Sequence, residues 1–90
     1  MNRDDLTNHL HGSRPLPPVV GKRLRLIRAG HRYKAPCPFH NEKTASFYVG
    51  GWWFVCYGCG AEGDVVDFVM RHDRVSEDEA VAHIAADIDF

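Results

Sequence analysis

The sequence predicts a small α+β domain in which short antiparallel strands are followed by two helices and a metal ion staples the whole. Three observations predict it. Cys37-Pro38-Phe39-His40 and Cys56-Tyr57-Gly58-Cys59 are two tight ligand turns separated by fifteen residues. Between Leu24 and Val55, apolar and polar side chains partly alternate around Ala29-Gly30-His31 and Gly50-Gly51, which reads as strands joined by turns. Beyond Gly63, apolar residues recur with helical spacing behind capping residues.

The ligand turns carry the chemistry. Two residues between ligands let a turn aim both side chains at one ion, and Gly58 and Gly60 permit the close backbone approach this requires. Cys37, His40, Cys56 and Cys59 supply three thiolates and one imidazole, a closed tetrahedral shell for Zn²⁺, whereas iron in such a site usually takes four thiolates. A closed shell leaves no position for water, so the metal is structural rather than hydrolytic. Two other readings compete: small buried cysteines with a surface histidine, and a Cys56/Cys59 dithiol couple. The first ignores that every cysteine falls inside the two turns; the second gives Cys37 and His40 no role.

Ninety residues make one small domain, in the range where packing alone gives little stability. Metal binding can supply the remainder as folding free energy, on the order of 10 kcal/mol or more in small zinc modules. An odd number of cysteines and no signal-peptide pattern point to a reducing, cytoplasmic setting rather than a disulfide scaffold. No apolar run is long enough to span a bilayer. The net charge of −1 conceals a polarity: residues 1–60 hold nine Lys or Arg against three Asp or Glu, and residues 61–90 hold two against nine. From Lys22 to Lys34 there are six basic residues and no acidic one, a local positive field suited to phosphate. A solvated face would also explain the run.

In chain order, residues 1–18 read as an N-terminal arm, a short polar helix or coil whose Arg14-Pro15-Leu16-Pro17-Pro18 end makes an extended lead-in. His9 and His11 belong to this arm as non-ligand histidines. Residues 19–90 form the metal-stapled domain. Val19-Val20 and Leu24–Arg28 suit a strand with one packed and one positive face, and Arg32–Ala35 returns to deliver Cys37. Ser46–Val49 and Trp52–Val55 form a hairpin carrying Phe47, Tyr48, Trp52, Trp53 and Phe54. One hairpin face roofs the core; the other can offer rings beside the basic strand, the combination that holds unpaired bases, unless all five rings pack internally. Gly60–Gly63 reads as a turn into a helix that Asp64 caps, with Val65, Phe68, Val69 and His72 on one face. Ser76 and Glu79 box the start of a last helix with an Ala80, Val81, Ile84, Ala85, Ile88 stripe. His72 and His83 read as surface or edge residues, and Asp87-Ile88-Asp89 as a solvated tail.

Arg28 to Phe47, with its Cys37-Pro38-Phe39-His40-Asn41-Glu42-Lys43 core, followed by Cys56-Tyr57-Gly58-Cys59-Gly60-Ala61-Glu62-Gly63-Asp64-Val65 and Asp67-Phe68-Val69-Met70, resembles the N-terminal zinc-binding domain of bacterial-type DNA primases. The resemblance runs from about Val19 to Ala85. It implies a zinc ribbon, a small antiparallel sheet with flanking helices around one structural Zn²⁺ on Cys37, His40, Cys56 and Cys59. It further implies a sheet surface that contacts single-stranded template DNA and helps select the primer start. Carried onto this chain, Arg28, Arg32, Lys34 and Lys43 become phosphate contacts, and Tyr48, Trp53 and Tyr57 base platforms. A primase polymerase domain and a replicative helicase are the protein partners it implies. Two departures stand out: Ala45 replaces a usual proline, and the segment before Val19 is proline-rich where the family has a helix. No carboxylate cluster for nucleotidyl transfer is recognisable, so the chain reads as a non-catalytic module. Two alternatives are a free-standing adaptor that binds a replication or transcription protein through its acidic helices, and a redox-responsive zinc switch.

Overall fold

Alternation of side chains sets a five-stranded antiparallel meander in the computed structural model, which describes residues 3–10, 16–39 and 46–87. The strands are β1 (Ile27–Ala29), β2 (Arg32–Ala35), β3 (Phe47–Val49), β4 (Trp53–Cys56) and β5 (Glu62–Asp64), in that spatial order. The expected hairpin is β3–β4: Phe47 pairs with Cys56, Tyr48 with Val55 and Val49 with Phe54, and Gly50 donates its N–H to the Trp53 carbonyl at 2.9 Å. Directly paired residues share a face. Phe47, Val49, Phe54 and Cys56 are fully buried on the inner face, which leaves Tyr48, Trp53 and Val55 on the outer one. The hairpin therefore divides its aromatic residues between core and surface.

Among the described residues four helices accompany the sheet: α1 (Arg3–His9), α2 (Leu16–Gly21), α3 (Val65–Asp73) and α4 (Glu77–Asp87). The α2 helix corrects two expectations. Its prolines, read as an extended lead-in, occupy the first turn, where a missing N–H costs nothing and φ near −65° is already helical. Val19 and Val20, read as strand residues, are helical and fully buried, so the first strand shrinks to Ile27–Ala29. Burial against α3 and α4 outweighs their β-branched preference. The Leu16 N–H donates to the Gly51 carbonyl at 3.1 Å and fastens α2 to the hairpin tip.

A third correction is β5. The Glu62–Gly63 stretch, read as a turn, pairs with Val55 and Phe54 and closes the sheet edge. Gly63 is required there because a Cβ would lie 2.6 Å from the Asp67 side chain. Asp67 belongs to the α3 cap: Asp64 accepts from its N–H at 3.0 Å, and its own carboxylate accepts the Asp64 N–H at 3.0 Å. Arg3 then ion-pairs with Asp64 at 2.5 Å and Asp67 at 3.3 Å, which ties α1 to this cap.

The core lies between the inner sheet face and the helices. Phe47, Phe54 and Phe68 meet with ring centroids 5.4–6.0 Å apart. Leu6, Leu16 and Ile84 bring the other helices onto them. The α4 stripe is buried at Ala80, Val81 and Ile84, while Ile88 lies outside the described residues. Ser76 caps α4, its hydroxyl accepting the Glu79 N–H at 3.2 Å.

Arg23 reveals a feature that no local pattern marks. Its guanidinium donates to both Asp73 oxygens at 2.9 and 2.8 Å and to Asp87 at 2.5 Å. Lys22 adds a bond to the Asp87 carbonyl. Asp87 is thus no solvated tail but a clasp between α4 and the end of α2. His72 and His83 also place Nδ1 2.8 Å from Asp73, one at each oxygen. Among the described residues, no helix is long and apolar enough to cross a membrane.

Candidate metal centre and nucleic-acid face

Cys56 ends β4 and Cys37 follows β2 after Pro36, so two strands two places apart in the sheet deliver their sulfurs to one end. The turn after β4 brings Cys59 round, closed by Gly60 N–H to the Cys56 carbonyl at 2.9 Å and Cys56 N–H to the Ala61 carbonyl at 2.8 Å. Gly60 has φ of 78°, a conformation costly for any residue with a Cβ. The Sγ atoms of Cys37, Cys56 and Cys59 all lie within 4.8 Å of one another. Cys37 and Cys59 are 3.9 Å apart.

These spacings fit zinc: tetrahedral Zn–S bonds of about 2.3 Å place neighbouring sulfurs about 3.8 Å apart. The two buried cysteines sit in contrasting environments. Cys37 is pushed up to about 12, chiefly by burial and against the Phe39 N–H. Burial pushes Cys56 up too, but the Cys59 N–H, the Ser46 hydroxyl and the Gly58 N–H outweigh it and bring the thiol down to about 7. Backbone donors aimed at a sulfur prepare a thiolate for a cation. Bound zinc acts as a clamp here. Its ligands would include these three thiolates; His40 lies outside the described residues.

Phe39 couples the metal turn to the core. Its ring stands 5.9 Å from Phe47, 5.8 Å from Phe54 and 5.8 Å from Phe68, and the Arg71 guanidinium covers its other side at 4.7 Å. Neither residue was singled out from the sequence, although a ring inside a ligand turn is a signal that the turn is packed rather than exposed.

The outer sheet face gathers most of the expected nucleic-acid contacts. Lys34 pairs with Tyr48, and Tyr48 with Val55, so a basic strand and the hairpin rings share this face. The Arg32 guanidinium sits 4.7 Å over the Tyr48 ring and reaches the Tyr57 hydroxyl at 3.5 Å. Tyr48 and Tyr57 meet edge-on at 5.6 Å. Trp53 is 52% exposed and Tyr57 66%, large rings open to a ligand. Arg32, Tyr48, Trp53 and Val55 line a cavity of about 180 Å³. Arg28 is separated from this group: its partner across the ladder is Tyr33, so it leaves on the opposite face. Lys43 lies outside the described residues.

Comparison with known proteins agrees with this geometry. The CHC2 zinc finger family model matches residues 2–90. DNA primase of Salmonella typhimurium is 44% identical over 70 residues, 76% of this chain, and DNA primase of Pseudomonas putida is 43% identical over 84 residues, 91% of it. The chain spans 12% of the length of either relative. Among solved structures, the Aquifex aeolicus primase (zinc-binding and RNA polymerase domains) superposes with a TM-score of 0.81 at 34% identity, covering 92% of this chain and 20% of that one. A small α+β zinc ribbon with three clustered thiolates, matched along its whole length, belongs to the CHC2 zinc finger family, the zinc-binding domain of DNA primases.

Proposed function

We propose that this module holds single-stranded template DNA against the outer face of its sheet and so helps a primase choose where a primer begins. The observation that carries the reading is the cluster of Arg32, Tyr48, Tyr57 and Trp53, with Lys34 beside it. Exposed rings and adjacent cations are what an unpaired strand needs, bases stacking while phosphates track the charge. In this reading His40 completes the zinc shell and Lys43 adds a phosphate contact. The chemistry of primer synthesis belongs to a polymerase domain acting with this module. The replicative helicase is a further partner.

The reading is tested by fluorescence anisotropy of labelled single-stranded oligonucleotides over a salt series. Removing two phosphate contacts with Arg32→Ala and Lys34→Ala flattens the log–log salt slope by about 1.4, at roughly 0.7 per phosphate on single strands. An unchanged slope and affinity in the folded double variant would overturn the assignment.

A further inference from the structure

The opposite side of the sheet, at its β1–β2 edge, carries a second basic feature that the DNA-binding reading does not use. Pro17 and Pro18, in the first turn of α2, face Tyr33, and these three residues are shared by two adjoining cavities of about 290 and 520 Å³. One cavity continues toward Arg28, His31 and the hairpin tip at Gly50 and Gly51. The other continues past Leu24, Arg25 and Leu26. Sharing the proline wall, they make one elongated groove rather than a compact pocket.

Its floor and rim differ in chemistry. Leu24, Leu26 and Tyr33 are half-buried and pack on the core, so the apolar floor is held in place. Arg25, Arg28 and His31 are exposed along the rim, and Arg28 is steadied by donating to the Gly30 carbonyl at 3.2 Å. No carboxylate lines either cavity among the described residues. The basic residues just before the groove, Lys22 and Arg23, are engaged with Asp87 and Asp73, whereas no ion pair holds Arg25 or Arg28 among the described residues.

The open rings that suit stacked bases, Trp53 and Tyr57, belong to the cluster on the other face. Prolines and leucines present knobs and hollows that receive side chains, not a flat platform for bases. A positive rim over an apolar floor complements an extended segment in which carboxylates flank apolar residues. We infer that this groove docks an acidic, apolar-bearing segment of a partner protein, leaving the other face of the sheet for nucleic acid. The inference goes beyond the DNA-binding reading and does not depend on it.

The test is a ¹⁵N–¹H NMR titration of the zinc-loaded chain with a synthetic dodecapeptide of glutamate, aspartate, leucine and phenylalanine. A matched peptide with lysine in place of the acids and an oligothymidylate serve as the other arms. The acidic peptide is expected to shift resonances of Leu24, Leu26, His31, Tyr33 and Gly51. The lysine peptide is expected to leave them unmoved. Arg25→Glu with His31→Glu, both exposed positions, lowers acidic-peptide affinity at least tenfold while the dispersed spectrum shows the fold intact. Absence of shifts, shifts confined to the Tyr48–Trp53 face, equal binding of the lysine peptide, or displacement of the peptide by oligothymidylate would each overturn the inference. So would peptide-independent, concentration-dependent shifts at the groove, which would make it a contact between copies of this chain.

Discussion

Replacing Arg23 with methionine separates two roles that the basic run combines. The Arg23 side chain is 11% exposed and joins Asp73, at 16%, to Asp87, at 20%. Methionine keeps much of the apolar stem but none of the donors. Breaking a fully buried ion pair costs about 3–5 kcal/mol. Here Asp73 keeps His72 and His83 as partners and Asp87 can take up water, so the expected loss is smaller, about 2–3 kcal/mol. Urea unfolding followed by tryptophan fluorescence at fixed excess zinc should show a lower midpoint with an unchanged slope. Oligonucleotide affinity of the folded variant should stay at the wild-type value, because Arg23 is clasped among the helices. The pH dependence has a definite sign. Arg23 is the first cause holding the Asp73 carboxyl well below the ordinary range, against burial. A depressed folded value gives stability that is present above the unfolded value, about 3.9, and lost only as pH falls further. Asp73 itself should therefore add no slope to the gap between wild type and variant from pH 8 to 5. A loss under about 0.5 kcal/mol, the range of ordinary surface substitutions, or weakened DNA binding with unchanged stability would refute the reasoning.

Three further outcomes are expected. Chelation, or Cys56→Ser, should abolish the cooperative unfolding transition and the near-ultraviolet circular dichroism of the tryptophans, since zinc supplies on the order of 10 kcal/mol in modules of this size; a metal-free sample that still unfolds cooperatively would contradict it. Gly63→Ala should cost about 1–2 kcal/mol by urea unfolding, because its Cβ displaces Asp67 and breaks the cap of α3. Trp53→Ala should leave stability within about 0.5 kcal/mol but weaken oligonucleotide binding by about 1–3 kcal/mol, read by anisotropy.

Where the sequence was legible, one residue type at one spacing had one physical use. Cysteines in paired turns, aromatics alternating about Gly50-Gly51, and Asp64 or Ser76 before a helical stripe each narrowed the choice. Where it misled, the residues permit two structures. Pro17 and Pro18 suit an extended segment as well as a first helical turn, and only the buried Val19 and Val20 behind them decide. Glu62-Gly63-Asp64 has no strand preference of its own; the ladder to β4 makes it a strand. Arg23 and Asp73 stand fifty residues apart, so no local period could join them. The inner or outer place of each hairpin ring waited on register, which Cys56 sets from one end and Gly50 from the other.

That register makes the metal site and the ring-bearing face a single constraint. Along β4, Phe54 and Cys56 point inward, the first to the core and the second to the metal, so Trp53 and Val55 must point outward. A slip of one residue would turn every side chain of the strand over. It would bury Trp53 against the helices, and it would also withdraw the Cys56 sulfur from Cys37 and Cys59. Zinc bound at that sulfur opposes the slip with the part of its binding energy that Cys56 supplies. Phe39 carries the same constraint into the core, since a ring in the ligand turn touches Phe47, Phe54 and Phe68 at once. The outer face can therefore keep Trp53 and Tyr57 exposed without losing its register. Neither ring is needed to build the core, and both remain available to a ligand.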